Sequence, residues 1–167
     1  MGPMATITRA GEPIQTSGEL PQVGATAPAY DLATTGDARL TPDTYAGKRV
    51  VLNIFPNIET SVCQQSVRAF NERASSVENT VVLCVSNDEL ATLAGFCAAE
   101  GLDNVVVGSA RGTAFGDDYG VTINEGALAG RLARAVVVVD TNGAVLYTQL
   151  VPETRNEPDY DAALAAL

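Results

Sequence analysis

The chain has 167 residues, of which 46% are hydrophobic and 18% are charged, and this composition is typical of one globular domain. Its formal charge is −10 and its longest basic run is the pair Lys48-Arg49, so we expect neither a nucleic-acid partner nor an anionic membrane surface. The chain has no histidine, which excludes Ser-His-Asp and Cys-His hydrolases as well as histidine-ligated zinc and iron sites.

The sequence near the N-terminus does not predict a targeting signal, because it lacks the basic and then apolar layout of a signal peptide. Apolar stretches such as Ala135–Val139 are far too short to cross a bilayer. We therefore expect a cytoplasmic protein. Met1-Gly2-Pro3 resembles a remnant of cloning ahead of a natural start at Met4, so the predicted domain comprises residues 4–167.

The elements predicted in the N-terminal third of the chain are short, apart from one buried strand. Residues 5–16 alternate in hydrophobicity around Gly11, which predicts an N-terminal β-hairpin. The apolar run Arg49–Phe55 is stopped by Pro56, as expected of a strand that is buried on both faces of a sheet. Two weaker elements lie between them, a strand over Tyr30–Ala33 and a one-turn helix over Thr41–Tyr45.

The pattern changes to that of a helix from Thr60 onward. One helical face is formed by residues at i, i+4, i+7 and i+11, namely Cys63, Val67, Phe70 and Ala74. Thr60 is the predicted N-cap, and its hydroxyl is expected to accept a hydrogen bond from the backbone N–H of Cys63. Cys63 is therefore predicted to lie in the first turn of a helix that follows a buried strand.

A second strand and helix follow in the same arrangement. Val81–Val85 predicts a buried strand, and Ser86-Asn87-Asp88 predicts the start of the next helix. The apolar face of that helix includes Cys97, and Gly101 ends the helix.

The C-terminal part alternates short strands and helices and ends in a hairpin and a helix. Residues 120–130 form a glycine-rich stretch that is either a mobile flap or a long connection. The predicted elements are a strand at Val105–Val107, a helix at Thr113–Tyr119, a strand at Arg134–Val139, a strand at Val145–Val151 and a helix at Asp159–Leu167. This order predicts an α/β fold of thioredoxin-like type, a mixed β-sheet flanked by helices, with an N-terminal β-hairpin extension.

Three cysteines, at positions 63, 84 and 97, remain as candidates for chemistry. Their odd number and wide spacing do not fit a secreted disulfide framework. The sequence has no C-x-x-C pair that could nucleate a tetrahedral zinc site. We expect neither a bound metal nor a cofactor.

Cys63 is the predicted nucleophile. Unpaired backbone N–H groups and the helix dipole at a helix start both favour a thiolate over a thiol. Thr60 can direct a hydroxyl at the molecule that Cys63 attacks, and Pro56 shields the pocket without an N–H of its own. Since no histidine can serve as a base, a cation must assist, and Arg134 at the head of a buried strand is the candidate.

Four blocks of sequence together resemble one family. They are Phe55–Cys63, Asn79–Ser86, Phe96–Leu102 and Ala133–Val139. In this order they resemble the bacterial thiol peroxidases, an atypical two-cysteine branch of the peroxiredoxins. The resemblance extends from about Ala5 through the terminal segment Glu157–Leu164.

The resemblance implies a role for each candidate residue. Cys63 corresponds to the peroxidatic cysteine, which reduces hydrogen peroxide and alkyl hydroperoxides, and Pro56, Thr60 and Arg134 complete the peroxide pocket. Cys97 corresponds to the resolving cysteine, which forms an intramolecular disulfide with Cys63. The family also implies thioredoxin as the reductant and a homodimer. Because a disulfide requires Cα atoms within about 7 Å, we expect part of one or both helices to unwind in each cycle.

The same residues also have ordinary structural interpretations. Cys63 and Cys97 lie on apolar helix faces, where free cysteines are commonly small buried hydrophobes, and Cys84 in mid-strand is interpreted as core. Arg134 has the alternative of a routine arginine at a strand edge, and Arg131 is interpreted as an ordinary surface charge.

Two other functions are compatible with the sequence. One is a thioredoxin-like disulfide oxidoreductase, although Ser66 occupies the place of the second cysteine of a C-x-x-C motif. The other is a non-enzymatic binding module with inert cysteines.

Overall fold

The computed structural model describes residues 4–167, so the predicted cloning remnant at residues 1–3 lies outside the described residues. The strands of this part are β1 (Thr6–Arg9), β2 (Glu12–Gln15), β3 (Leu32–Ala33), β4 (Arg39–Leu40), β5 (Arg49–Ile54), β6 (Thr80–Ser86), β7 (Val106–Ser109), β8 (Ala135–Val139) and β9 (Val145–Leu150). Its helices are α1 (Ser61–Ala74), α2 (Leu90–Glu100), α3 (Phe115–Asp118) and α4 (Tyr160–Ala165), with a 3-10 turn over Pro42–Tyr45.

Seven strands form one mixed sheet in the order β4-β3-β7-β6-β5-β8-β9. The central strands β5, β6 and β7 are parallel and are connected through α1 and α2. β8 pairs antiparallel with β5, and β9 pairs antiparallel with β8. The predicted α/β class with a mixed sheet flanked by helices is confirmed.

Side chains alternate along each strand between two apolar clusters, one on each face of the sheet. The helix-side cluster packs against α1, α2 and α4, and its buried members are Val51, Phe55, Ile58, Cys63, Val67, Phe70, Val82, Cys84, Leu93, Val105, Val107, Val136, Val138 and Ala163. The hairpin-side cluster on the other face includes Ile7, Ile14, Leu52, Ile54, Leu83, Val85, Phe115, Tyr119, Val121, Ile123, Leu132 and Val137. All three cysteines therefore belong to one face, since Cys97 also packs against the helix-side cluster.

The predicted N-terminal hairpin is present as β1 and β2, which form a separate two-stranded sheet. Its turn is at Ala10 and Gly11, both with the positive φ that a tight two-residue hairpin turn requires (52° and 82°). Ile7 and Ile14 are buried and attach the hairpin to the domain.

Several predicted boundaries differ from the observed ones. The strand predicted over Tyr30–Ala33 is only the two-residue β3, and its partner β4 was not predicted. The helix start predicted at Ser86-Asn87-Asp88 is wrong, because α2 begins at Leu90 with Glu89 as its N-cap. The Asp88 carboxylate instead accepts a hydrogen bond from the backbone N–H of Ile58 (2.8 Å).

The glycine-rich stretch at residues 120–130 is a bonded connection rather than an open flap. Ile123 donates its backbone N–H to the carbonyl of Arg131, and Gly130 donates to the carbonyl of Ile123, both at 2.8 Å. Val121 and Ile123 are buried in the hairpin-side cluster.

Within residues 4–167, no helix is long and apolar enough to span a membrane.

Candidate active site

A pocket of about 280 Å³ lies where β5 ends and α1 begins. It is lined by Arg9, Ala10, Pro56, Asn57, Thr60, Ser61, Val62, Cys63, Leu128, Arg134, Thr154 and Arg155. Four of the five predicted site residues line it, whereas Cys97 does not. The topology explains how Arg134 reaches this place, because it precedes β8, whose first residue Ala135 pairs with Ile54 at the end of β5.

A turn after β5 places Cys63 at the start of α1. Asn57 accepts hydrogen bonds from two backbone N–H groups, through its side chain from Glu59 (2.9 Å) and through its carbonyl from Thr60 (3.1 Å). The first helical hydrogen bond runs from the N–H of Gln64 to the carbonyl of Thr60 (3.0 Å). Cys63 is the third residue of α1, in the turn whose backbone N–H groups have no partner within the helix.

Thr60 is the N-cap residue of α1 by backbone conformation, but its side chain does not cap the helix. The predicted hydrogen bond from the N–H of Cys63 to the Thr60 hydroxyl is therefore wrong. The hydroxyl donates to the carbonyl of Asn57 (2.8 Å), because the turn brings that carbonyl within reach. A hydroxyl that donates to a carbonyl keeps its own oxygen available as an acceptor.

Arg134 is the cation of the site, and it is only 2% exposed. Its Nη2 lies 3.4 Å from Cys63 Sγ, and Nε and Nη2 both donate to the carbonyl of Thr154 (3.1 and 2.9 Å). Nη1 is buried and has no hydrogen-bond partner among residues 4–167. In the same part of the chain, no carboxylate forms a salt bridge with Arg134. A buried cation without a carboxylate favours a nearby anion, and the sulfur of Cys63 is the side-chain atom that Arg134 Nη2 faces.

Arg131 and Asp88 form a second polar group behind Pro56 that sequence reasoning missed. Arg131 Nη1 donates to the carbonyl of Pro56 (3.3 Å) and to Asp88 Oδ1 (3.1 Å). Asp88 is 6% exposed, and its other oxygen accepts from the N–H of Ile58. The interpretation of Arg131 as an ordinary surface charge is wrong, because this ion pair fixes both ends of the Pro56–Ile58 turn. Asp88 follows β6, the parallel neighbour of β5, so the adjacency of the two strand ends was the available signal.

Cys84 and Cys97 are located away from the pocket lining. All three cysteines are free thiols. Burial raises the pKa of the Cys84 thiol to about 12, and burial together with the charge of Glu100 raises the pKa of the Cys97 thiol. Both therefore remain protonated at neutral pH.

The arrangement supports nucleophilic displacement by one sulfur. A thiol at a helix start faces a buried guanidinium, one N–H of which has no partner in the described part of the chain, in a pocket large enough for a small molecule. Ser66 occupies the position that a C-x-x-C oxidoreductase would give to its second cysteine, and its buried hydroxyl donates to the Cys63 carbonyl (2.7 Å). This geometry favours the chemistry of a single nucleophilic cysteine over that of a paired dithiol.

Comparisons with known proteins agree with this chemistry. The model of the Redoxin family matches residues 22–164. The thiol peroxidase of Corynebacterium glutamicum is 52% identical over 157 residues, which cover 94% of this chain and 95% of the relative. The thiol peroxidase of Mycobacterium tuberculosis (strain H37Rv) is 53% identical over 165 residues, which cover 98% and 99% of the two chains.

Solved structures show the same fold. A peroxiredoxin-like protein from Aquifex aeolicus superposes with a TM-score of 0.89 at 35% identity, covering 98% of this chain and 96% of that one. A thiol peroxidase from Chromobacterium violaceum has a TM-score of 0.88 at 21% identity, covering 96% and 93%, which is a likeness of fold alone. The thioredoxin-like fold predicted from the element order and the predicted family are both confirmed. The chain belongs to the redoxin family, among its bacterial thiol peroxidases, and is a thiol-dependent peroxidase.

Proposed function

We propose that this peroxidase reduces hydrogen peroxide and alkyl hydroperoxides with the Cys63 thiolate as its nucleophile. The observation that carries the proposal is the contact of Arg134 Nη2 with Cys63 Sγ (3.4 Å), beside an Nη1 donor that is buried and unpartnered within residues 4–167. A buried N–H without an acceptor is costly, and a bound peroxide oxygen satisfies it.

In the first step the thiolate attacks the terminal oxygen of the hydroperoxide. A sulfur–oxygen bond forms as the O–O bond breaks, and the electron pair leaves with the second oxygen, which takes up a proton as an alcohol or water. Cys63 becomes a sulfenic acid. Arg134 Nη1 donates to the oxygen on which negative charge develops, an interaction that strengthens in the transition state.

Thr60 and Pro56 orient the substrate in this proposal. The Thr60 hydroxyl donates to Asn57, so its oxygen can accept the O–H of the hydroperoxide. Pro56 is buried and lacks an N–H, so it closes one side of the pocket without competing for the peroxide. Val62, Leu128 and Ala10 add apolar lining, which suits the alkyl group of an organic hydroperoxide.

Cys97 resolves the sulfenic acid in the second step. Its thiol attacks the Cys63 sulfur, a disulfide forms, and the sulfenic hydroxyl leaves as water with the thiol proton. A dithiol of thioredoxin then reduces the disulfide by exchange and is itself oxidised. Because the two cysteines lie on different helices and only one lines the pocket, part of α1 or α2 must unwind for this step.

We also propose that the protein acts in the cytoplasm as a homodimer, on the strength of its family resemblance. Sedimentation velocity of the reduced protein is expected to give twice the mass of the 17.3 kDa chain, and a monomer at all concentrations would contradict this.

Substitution of each cysteine in turn tests the mechanism. We expect hydroperoxide consumption coupled to thioredoxin oxidation to be lost in Cys63→Ser and retained in the matched control Cys84→Ser, because only Cys63 lines the pocket. Cys97→Ser is expected to turn over once and then stop with a sulfenic acid on Cys63. Mass spectrometry after oxidation should show the Cys63–Cys97 disulfide in the wild-type protein.

Different outcomes contradict different parts of the proposal. If Cys84→Ser were inactive and Cys63→Ser were active, the assignment of Cys63 as the nucleophile would be wrong. Sustained thioredoxin-linked turnover in Cys97→Ser would exclude the intramolecular disulfide step while leaving Cys63 as the nucleophile.

A further inference from the structure

The guanidinium of Arg134 is oriented by a main-chain atom outside the sheet. Two of its N–H groups donate to the carbonyl of Thr154. Among residues 4–167, the side chain has one further acceptor, the sulfur of Cys63. The position of that one carbonyl therefore decides where Nη1 points.

Thr154 lies beyond the end of β9, so the sheet does not fix its position. β9 ends at Leu150, and one further bond, from the N–H of Val151 to the carbonyl of Arg134 (3.0 Å), closes the pairing. The next contacts of this segment are with β1 of the N-terminal hairpin. Thr8 donates its N–H to the carbonyl of Pro152 (2.7 Å), and Thr154 donates its N–H to the carbonyl of Thr8 (2.8 Å).

The Glu153 carboxylate joins the hairpin turn to this segment. Oε1 accepts from the Thr8 hydroxyl (3.0 Å) and from the N–H of Gly11 (2.9 Å), and Oε2 accepts from the N–H of Arg155 (2.9 Å). The N–H groups of Gly11 and Arg155, followed by the Thr8 hydroxyl, lower the pKa of Glu153 to about 2, so the carboxylate is ionised throughout the neutral range. Charge-assisted hydrogen bonds of this kind are stronger than neutral ones.

We infer that Glu153 is a positioning residue for the peroxide reaction, which acts by fixing the hairpin to residues 152–154 and thereby holding the Thr154 carbonyl under Arg134. The inference rests on the proposed role of Arg134 toward hydroperoxide. Misplacement of a catalytic group by about 1 Å costs on the order of 100-fold in rate, so a loosened carbonyl has a measurable effect. The hairpin precedes residue 22, where the Redoxin match begins, so a segment outside the matched region supports the site.

A double-mutant cycle in the full-length protein tests this inference. The readout is the second-order rate constant for oxidation of Cys63 by hydrogen peroxide, measured by stopped-flow in a single turnover. We expect Glu153→Ala to lower it about 10-fold, a partial loss of the positioning effect. Glu153→Gln retains an acceptor oxygen for Thr8 and Gly11 and is expected to stay within about 3-fold of the wild-type rate constant.

The same substitution in an Arg134→Ala background separates positioning from general damage. If Glu153 acts through Arg134, Glu153→Ala has no further effect there, and the two substitutions are non-additive. Glu12→Ala removes an exposed carboxylate from the same hairpin and is expected to leave the rate constant unchanged. Thermal unfolding of every variant reports whether the domain is folded.

Each remaining outcome overturns the inference. If Glu153→Ala has the wild-type rate constant, Glu153 has no positioning role, while the proposed peroxide chemistry of Cys63 and Arg134 is unaffected. An equal loss in both Arg134 backgrounds shows general damage to the fold. An unchanged rate constant in Arg134→Ala alone contradicts the proposed role of that arginine, and the positioning role with it.

Discussion

The three cysteines share the helix-side cluster, but the polar groups that surround their sulfur atoms differ, and these groups decide how reactive a thiol is. Cys63 faces the guanidinium of Arg134. Cys84 is fully buried in β6, where its nearest polar neighbour is the amide of Asn53 (3.6 Å). Burial opposes a thiolate at Cys84, so the middle cysteine is suited to a structural role.

Alkaline unfolding tests the buried state of Cys84. Burial raises its pKa to about 12 in the folded protein, whereas an exposed cysteine in the unfolded chain titrates near about 8.5. The stability that this thiol contributes is therefore complete below about pH 8.5 and is lost as the pH rises toward 12. We expect the free energy of unfolding of the wild-type protein to fall by up to about 1.4 kcal/mol per pH unit relative to Cys84→Ala above pH 9.

Denaturant unfolding at pH 7, 8, 9 and 10 measures this difference. The comparison removes the contribution of tyrosines whose pKa is raised by burial, such as the partly buried Tyr30 and the buried Tyr119, because it is common to both proteins. Parallel curves for the two proteins across this range would show that Cys84 titrates normally. Cys97→Ala serves as the control and is expected to differ less from wild type, because the Cys97 thiol is only half-buried.

The last turn of α2, which follows Cys97, is one of the two helix segments that the proposed disulfide can disturb. Gly101 ends the helix with a positive φ of 67°, and Ala98, Ala99 and Glu100 are exposed. Unwinding this turn therefore exposes little additional apolar surface. What holds the turn to α1 is the ion pair of Arg68 with Glu100, formed by two hydrogen bonds of 2.6 Å, with the guanidinium 5.4 Å from the centre of the Phe96 ring.

Removing this ion pair is expected to speed the resolving step. The two side chains are 38% and 34% exposed, and ion pairs that are this exposed contribute little to stability. We expect the ion pair to break before Cys97 reaches Cys63, so that its loss lowers the barrier to this step. Glu100→Gln should then increase the rate constant of disulfide formation by up to about 5-fold. Stopped-flow measurement of the step after peroxide addition reports this rate constant.

Salt and a matched variant control this experiment. The difference between Glu100→Gln and wild type should shrink at about 1 M salt, where exposed charges are screened. Asp31→Asn removes a different exposed ion pair, with Arg39, and should have no effect on disulfide formation. A slower resolving step in Glu100→Gln would mean that the pair aligns the two helices for the reaction.

At the scale of elements, hydrophobic periodicity predicts the buried strands and helix faces correctly, but it does not predict hydrogen bonds that depend on the geometry of a turn. The face of α1 and the burial of β5, β6 and β8 follow from runs of apolar residues. The side-chain cap of Thr60 was wrong because the Asn57 turn offers its hydroxyl a nearer carbonyl. Asp88 was predicted to begin a helix, but a carboxylate at the end of a parallel strand also reaches the turn after the neighbouring strand.

The whole molecule depends on contacts between segments that are distant in sequence. Glu153 and Gly11 are 142 residues apart, and Arg134 and Cys63 are 71 apart. Arg134 could be predicted because a site without histidine requires another cation. Glu153 could not, since a glutamate in a polar segment gives no local sign of the hairpin that it binds.

Gly120 makes a further contact of this kind, between the loop after α3 and the segment that follows the N-terminal hairpin. Its φ is 70°, and a Cβ atom added there would overlap the backbone of Glu19. Gly120→Ala is expected to lower the free energy of unfolding by roughly 2 kcal/mol or more, since overpacking adds to the backbone strain. Chemical denaturation measures this loss.

Gly112→Ala is the matched control for this substitution. Its φ of 76° imposes the same backbone strain, but no atom lies within 4 Å of the added Cβ among the described residues. We expect it to cost only about 1–2 kcal/mol. Equal losses in the two variants would show that the overlap of the added Cβ with Glu19 costs nothing beyond the backbone strain.

The confinement of the cysteines to one face of the sheet affects how the enzyme survives its own substrate. Sulfur side chains are those that peroxides oxidise most readily. The hairpin-side cluster contains neither cysteine nor methionine, the chain has no tryptophan or histidine, and its two methionines are Met1 and Met4. The hairpin-side half of the hydrophobic core therefore offers an oxidant no sulfur to attack, and all three cysteines that a hydroperoxide could oxidise belong to the helix-side layer.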